Sequence, residues 1–295
     1  MQHKKHCGHI GIIGRPNTGK STLLNSLLQK KLVITSDKAQ TTRHTILGIK
    51  TVEDAQFIYV DTPGYRHVTK KAMHRYLNKA AGHVRHDVDV IAWVVDATQW
   101  TQDDEAVLKL LQDITKPVLL ILNKVDKIKA KEDILPLIAH YRSKFSFADI
   151  VPLSALKLKN IEAFEKAVKP FLPEADFLYA DDQLTDRDNN FIFSEMVREP
   201  LMQFLGQELP YSTTVQIEKV ENSENLCKIY ALILVERPGQ KAIVIGHQGQ
   251  MLKHIGQHAR HSIEHFLGKK VFLQLWVKVK EGWTEDVRSF RELGY

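Results

Sequence analysis

Eight consecutive residues, Gly14-Arg15-Pro16-Asn17-Thr18-Gly19-Lys20-Ser21, follow the pattern G-x-x-x-x-G-K-[ST]. In that pattern the glycines let backbone N–H groups close around the α- and β-phosphates of a nucleotide. Lys20 brings a cation to the β- and γ-phosphates, and the Ser21 hydroxyl is a ligand for Mg²⁺. Thr22 opens the helix whose N-terminus adds the positive end of its dipole. Downstream, Asp61-Thr62-Pro63-Gly64 supplies D-x-x-G. Asp61 would hold a Mg²⁺-bound water, and the Gly64 N–H would touch the γ-phosphate. Between the two lies Gln40-Thr41-Thr42-Arg43. Thr42 is the expected second Mg²⁺ ligand, engaged only while a γ-phosphate is present, and Thr41 contributes backbone.

A phosphate loop does not choose the base. Asn123-Lys124-Val125-Asp126 does. A carboxylate at Asp126 can accept from guanine N1–H and N2–H₂, and adenine has no such donor pair. Asn123 would tie this segment to the phosphate loop, and the Lys124 stem would lie along the base plane. Ser154-Ala155-Leu156 would offer backbone N–H to guanine O6.

These residues need a scaffold that delivers them from strand ends. The first half alternates strand and helix patterns: strands at residues 7–13, 57–60, 88–95, 117–122 and 149–153, and helices at 22–29, 72–83, 103–113, 134–145 and 161–171. Strands alternating with helices of this length predict an α/β domain, a mostly parallel sheet with helices on both faces. Open sheets of that kind bind ligands outside the carboxyl ends of their strands, where each motif falls. The predicted nucleotide domain spans residues 1–176, and an acidic linker spans 177–190. The last domain, 191–295, reads α-β-β-α-α-β: a helix at 191–205, strands at 213–220 and 228–235, helices at 241–245 and 250–267, and a strand at 271–279. Between its last two helices stands Ile245-Gly246-His247-Gln248-Gly249, with Lys253 one turn beyond.

Composition bounds the rest. The chain has 295 residues, 43% hydrophobic and 26% charged, which excludes a disordered chain. No apolar run approaches the roughly 18 residues of a membrane helix, and two distant cysteines form no disulfide framework. A cytoplasmic monomer is expected. The net charge of +6 hints at a polyanionic partner. Residues 178–225 are strongly acidic, with 10 acidic and 3 basic side chains, whereas 241–270 carry 5 basic, 1 acidic and five histidines. A nucleic-acid surface in the second half must therefore be local. His254, His258, His261 and His265 share one face of the long helix, opposite Leu252, Ile255, Ala259, Ile263 and Phe266. A solvated face is the expectation there, ahead of a metal site.

The four nucleotide motifs, in this order and spacing, resemble those of the translation-factor-related GTPases. Pro16 and Asn17 in the loop and Gln-Thr-Thr-Arg in the switch resemble the branch that holds Era and the tRNA-modification GTPases; the second half resembles a type II KH domain, and the strings 204–211, 234–240 and 275–279 resemble Era. The resemblance covers nearly the whole chain and is identified as one to the Era family. It implies slow hydrolysis of GTP to GDP and phosphate with Mg²⁺, in which Lys20, Thr42, Asp61, Gly64 and Asn17 bear on the chemistry. It also implies K⁺ held by Asn17 in place of an arginine finger. Tyr65 stands where Ras-like enzymes carry a catalytic glutamine, so water must be positioned otherwise. For the KH domain it implies contact through Ile245, Gly246, His247, Gln248, Gly249 and Lys253 with the single-stranded 3′ end of 16S ribosomal RNA. The setting implied is assembly of the 30S small ribosomal subunit, with peripheral contact at the cytoplasmic face of the inner membrane. His247 and Gln248 depart from the Lys, Arg or Asn common at the loop centre. Two other readings use the same residues: an RNA-binding assembly chaperone with structural nucleotide, or a GTPase whose KH fold contacts protein or membrane.

Overall fold

The computed structural model describes residues 4–38, 41–65 and 87–283. Its elements in order are strand β1 (His6–Ile13), helix α1 (Lys20–Leu28), strands β2 (Ile46–Val52), β3 (Ala55–Asp61) and β4 (Val90–Asp96), helix α2 (Gln102–Leu111), strand β5 (Val118–Asn123), helix α3 (Ile134–Arg142), strand β6 (Asp149–Pro152), and helices α4 (Ile161–Val168) and α5 (Asn189–Phe204). Then come strands β7 (Thr213–Asn222) and β8 (Leu226–Val235), helices α6 (Pro238–Ile245) and α7 (Gln250–Leu267), and strand β9 (Lys270–Val279). The helix read at residues 72–83 lies outside the described residues.

Two units separate between Asp186 and Arg187, and the second also takes in Ile34–Thr41. The first is built on a sheet of order β2-β3-β1-β4-β5-β6. All of its pairings are parallel except β2 with β3. Strands β3, β4 and β5 are buried along their whole length, which is why they read as continuous apolar runs. Ile91, Trp93, Val95, Leu120 and Leu122 pack with Val107 and Leu111 of α2. β2 carries no sequence signal of comparable strength. Gly48 interrupts it, because a Cβ there would sit 2.5 Å from Leu24 Cδ1 on α1. The segment that follows α4 stays with this unit: the Leu178 and Tyr179 N–H groups donate to Gln56 Oε1 at 2.8 and 3.0 Å.

The second unit has the element order expected from the sequence. Its sheet runs β7-β8-β9, with β8 and β9 parallel. One face is apolar: Cys227, Ile229, Ala231 and Ile233 of β8 and Val271 and Val277 of β9 are buried. Ile255, Ala259 and Ile263 of α7 and Val244 of α6 are buried with them. Asp188 caps α5 by accepting the Phe191 N–H.

A phosphate cradle, a base-selecting loop and an RNA-type loop

β1 ends at Ile13, and the chain turns through Gly14 and Gly19, both at positive φ (148° and 96°). A Cβ on Gly14 would fall 2.4 Å from the Val94 carbonyl oxygen, and one on Gly19 would fall 2.2 Å from Asn123 Nδ2. Glycine is therefore required at both by space as well as by φ. Asn17 takes a left-handed conformation (φ 63°), which asparagine tolerates. The buried Lys20 ammonium donates to the Gly14 and Arg15 carbonyls at 3.1 and 2.9 Å. That holds a cation inside the turn where phosphates are expected. No side chain caps α1, so its N-terminal N–H groups face the cradle.

Ser21, Thr42 and Asp61 converge. Ser21 Oγ lies 2.7 Å from Thr42 Oγ1 and donates to Asp61 Oδ2 at 2.9 Å. Asp61 is fully buried, and among the described residues no side chain reaches its Oδ1. Two hydroxyls and a buried carboxylate are hard donors that suit Mg²⁺, which binds few protein groups and keeps water and phosphate oxygens. The residues fit the ion. Gly64 closes the cradle from the other side: a Cβ on it would lie 2.7 Å from the Pro16 nitrogen, and the Tyr65 N–H donates to the Gly14 carbonyl at 3.1 Å.

Burial dominates the electrostatics here. It pulls the Lys20 ammonium down to about 8 and pushes the Asp61 carboxyl up to about 6, each opposed by the other's charge. Asp61 thus binds its proton more tightly folded than unfolded. Its protonated form favours the fold, and that contribution is lost as pH rises from about 4 through about 6. Nucleotide-free protein is expected to lose thermal stability across that window, and Asp61→Asn to flatten the profile. Parallel melting curves for the two proteins would show a wrong account.

The base loop is anchored as the sequence suggests. Asn123 Nδ2 donates to the Thr18 carbonyl at 2.8 Å. Lys124 Nζ reaches the Asn17 carbonyl (2.6 Å) and Asp96 Oδ2 (2.8 Å). Asp126 Oδ1 accepts from Ser154 Oγ at 2.5 Å, which orients the carboxylate. The Ala155 N–H, expected to face guanine O6, donates to Asn123 Oδ1 at 3.0 Å, and the Ser154 N–H donates to the Lys159 carbonyl. In this structure both backbone groups serve the loop itself. Leu156 is 71% exposed beside them. The Arg15 side chain, counted among the nucleotide contacts, pairs with the buried Asp104 at 2.8 Å, while its carbonyl serves Lys20. The Thr22 carbonyl accepts from Ser26 Oγ within α1.

Sequence reasoning missed Asp96, Asp104 and Arg198. Asp104 carried a signal, since Thr101-x-x-Asp104 is a capping pattern and the Thr101 N–H donates to Asp104 Oδ2. Arg198 carried none. Within the second unit, its guanidinium donates to the Thr41 carbonyl at 2.5 Å and pairs with Glu195 at 2.7 Å, all three residues buried. In the same unit Glu199 Oε1 accepts the Thr35 N–H, and Lys38 Nζ reaches the Leu205 carbonyl.

The loop between α6 and α7 puts Gly246, Gln248 and Gly249 at positive φ (72°, 48° and 77°). His247, Gln248 and Lys253 are exposed, and Ile245 is half-buried. A Cβ on Gly246 would meet Met251 Cβ at 2.6 Å, whereas nothing lies within 4 Å of one on Gly249. Gly246 therefore serves packing, and Gly249 keeps the outer surface of the loop open. The α7 histidines are exposed, but His254 and His258 are not simply solvated. Their rings lie 4.3 and 4.7 Å from that of Phe204.

Comparison with known proteins agrees with this division. Residues 9–124 match the model of the 50S ribosome-binding GTPase family, and residues 208–284 match that of the KH domain. GTPase Era of Marinobacter nauticus is 52% identical over 99% of this chain and 95% of its own length. GTPase Era of Glaesserella parasuis is 52% identical over 99% and 98%. Among solved structures, Era in complex with MgGDPNP and nucleotides 1506–1542 of 16S ribosomal RNA superposes with a TM-score of 0.94 at 38% identity, over 99% of both chains. An alanine variant of Aquifex aeolicus Era bound to GDP·AlF₄⁻ gives the same TM-score and identity over 98% and 99%. With its phosphate cradle, its base loop and a KH unit on one chain, this protein belongs to the Era family of GTPases.

Proposed function

We propose that the protein is a slow GTP-hydrolysing switch that binds the 3′ end of 16S ribosomal RNA through its KH unit, residues 191–295, during assembly of the 30S subunit. The observation that carries this reading is that one chain holds two built sites, the Lys20, Ser21, Thr42 and Asp61 cradle of the first unit and the open Gly246–Gly249 loop of the second. The kinship with an Era that binds both MgGDPNP and 16S ribosomal RNA supports the same pairing of ligands here.

In the first unit, Lys20 would meet the β- and γ-phosphates, Ser21 and Thr42 would ligate Mg²⁺, and Asp61 would hold its water. Held by Ser21 and Thr42, Mg²⁺ would supply positive charge to offset the charge that develops as water attacks the γ-phosphorus and the bond to the β–γ bridging oxygen breaks. Asp126 would select guanine. Asn17 is the proposed K⁺ ligand, supplying positive charge in place of an arginine finger. The protein would act as a cytoplasmic monomer whose contact with the inner membrane is peripheral. No helix among the described residues is long and apolar enough to cross a bilayer.

The test is affinity for an oligonucleotide of the 16S ribosomal RNA 3′ end, measured with a non-hydrolysable GTP analogue and with GDP. The parent is expected to bind the two ways with different affinities. Arg198→Lys keeps the charge beside Glu195 but loses the planar fork, and it is expected to shrink the difference. Equal affinities in the parent would contradict the switch and favour the assembly-chaperone reading.

A further inference from the structure

The sheet of the second unit has an outer face that no helix among the described residues covers. Along β9, Val271 and Val277 are buried, and Leu275 lies against Gly256 of α7. The alternate residues Lys270, Phe272, Gln274, Trp276 and Lys278 therefore point the other way, and all are exposed. Phe272 is 48% and Trp276 41% exposed, among the largest apolar side chains on this surface. Tyr230 of β8 pairs in register with Gln274, so its ring falls between theirs. Its centroid is 6.0 Å from Trp276, with planes within 20°, and 6.4 Å from Phe272, edge to face. Around this shelf stand Lys228, which pairs in register with Phe272, Lys219, which pairs with Tyr230, and Lys270 and Lys278 at its two ends. Four lysines border the rings, against Glu221, which pairs with Lys219 at 2.6 Å and lies 3.8 Å from Lys228.

Flat aromatic faces offer stacking to any base, and a lysine border meets the phosphates that join them. A protein-binding patch of this size would be expected to shed lysine, a side chain depleted in such interfaces. We propose that Tyr230, Phe272 and Trp276 form a second single-stranded RNA contact, on the face of the sheet opposite the helices that carry the Gly246–Gly249 loop. It stacks unpaired nucleotides that continue beyond those held at the loop. This rests on the RNA-binding reading above and extends its footprint.

The experiment uses the full chain and two oligonucleotides from the 16S ribosomal RNA 3′ end, one short and one extended by about eight unpaired nucleotides. Trp276→Ala and Phe272→Ala are each expected to weaken the extended RNA by about 5- to 100-fold, the range for loss of one stacked base. The short RNA should be little affected, and Trp276→Phe should recover much of the loss. Ultraviolet cross-linking of the parent should attach nucleotides to the peptide that contains Phe272 and Trp276. A double change, His247→Asp with Gln248→Asp, serves as the separate control on the loop. If that control abolishes binding while Trp276→Ala binds both RNAs like the parent and no cross-link maps to β9, the second contact is refuted and the RNA-binding reading stands. If the parent binds neither RNA, that reading fails first. Should Trp276→Ala misfold, Lys228→Gln with Lys278→Gln and the cross-link decide. Variants that lose only a protein partner of the ribosomal subunit, with RNA affinity intact, would also overturn the proposal.

Discussion

Lys20→Met is expected to slow GTP hydrolysis by about three orders of magnitude and to weaken GTP binding as well. The cradle already holds the Lys20 ammonium against the Gly14 and Arg15 carbonyls at 3.1 and 2.9 Å, so no reorganisation is needed when phosphate arrives. A preorganised charge aimed at developing negative charge in a buried site is worth about 10²–10³ in rate for a single donor. This charge also meets the ground-state phosphates, so affinity falls with it. The same burial has a cost without nucleotide. The ammonium sits at about 8 rather than 10.5, because removing it from water outweighs the favourable charge of Asp61. Folding therefore releases a proton from Lys20 only between about pH 8 and 10.5, and below that window the ammonium stays charged. The penalty is complete below pH 8 and fades as pH rises toward 10.5. Nucleotide-free parent should gain stability relative to Lys20→Met between pH 8 and 10, read by denaturant titration at each pH. Retained hydrolysis in Lys20→Met would remove Lys20 from the phosphate role.

Asp126→Asn should lower GTP affinity by about 100- to 1000-fold while leaving the fold intact. The carboxylate is oriented by Ser154 Oγ at 2.5 Å and follows a strand end fixed by Asn123. Guanine offers N1–H and N2–H₂ side by side, and an amide in place of the carboxylate sets a donor against one of them. A lost hydrogen bond to a charged group costs about 1.5–3 kcal/mol, and a buried donor left unpaired adds to it. Xanthosine triphosphate carries a carbonyl where guanine has its amino group, so it should bind Asp126→Asn better than the parent does. Displacement of a fluorescent guanine nucleotide measures both effects. Unchanged GTP affinity would mean that base choice lies elsewhere.

Local geometry explains what the sequence made legible. The phosphate loop, D-x-x-G and Asn123–Asp126 each bind with residues adjacent in the chain, so type and spacing disclose them. The buried strands β4 and β5 read easily because they are continuous apolar runs. β2 did not, since Gly48 and the mixed exposure of an edge strand leave neither a run nor an alternation. The missed site residues depend on partners far away in sequence. Arg198 touches Thr41 across 157 positions, and Lys124 meets Asp96 across 28. Ala155 adds a contact that its motif did not disclose: its N–H donates to Asn123 Oδ1, 32 positions away. Phe204 between two histidines was equally hidden, because α5 and α7 meet only in the folded unit.

If RNA held by the second unit reaches the nucleotide chemistry of the first, GTP turnover will report it, measured in K⁺ and in Na⁺ buffers with and without an oligonucleotide of the 16S ribosomal RNA 3′ end. Turnover is expected to be faster with RNA, with a larger increase in K⁺ than in Na⁺. RNA that binds but leaves hydrolysis unchanged in both buffers would contradict that coupling.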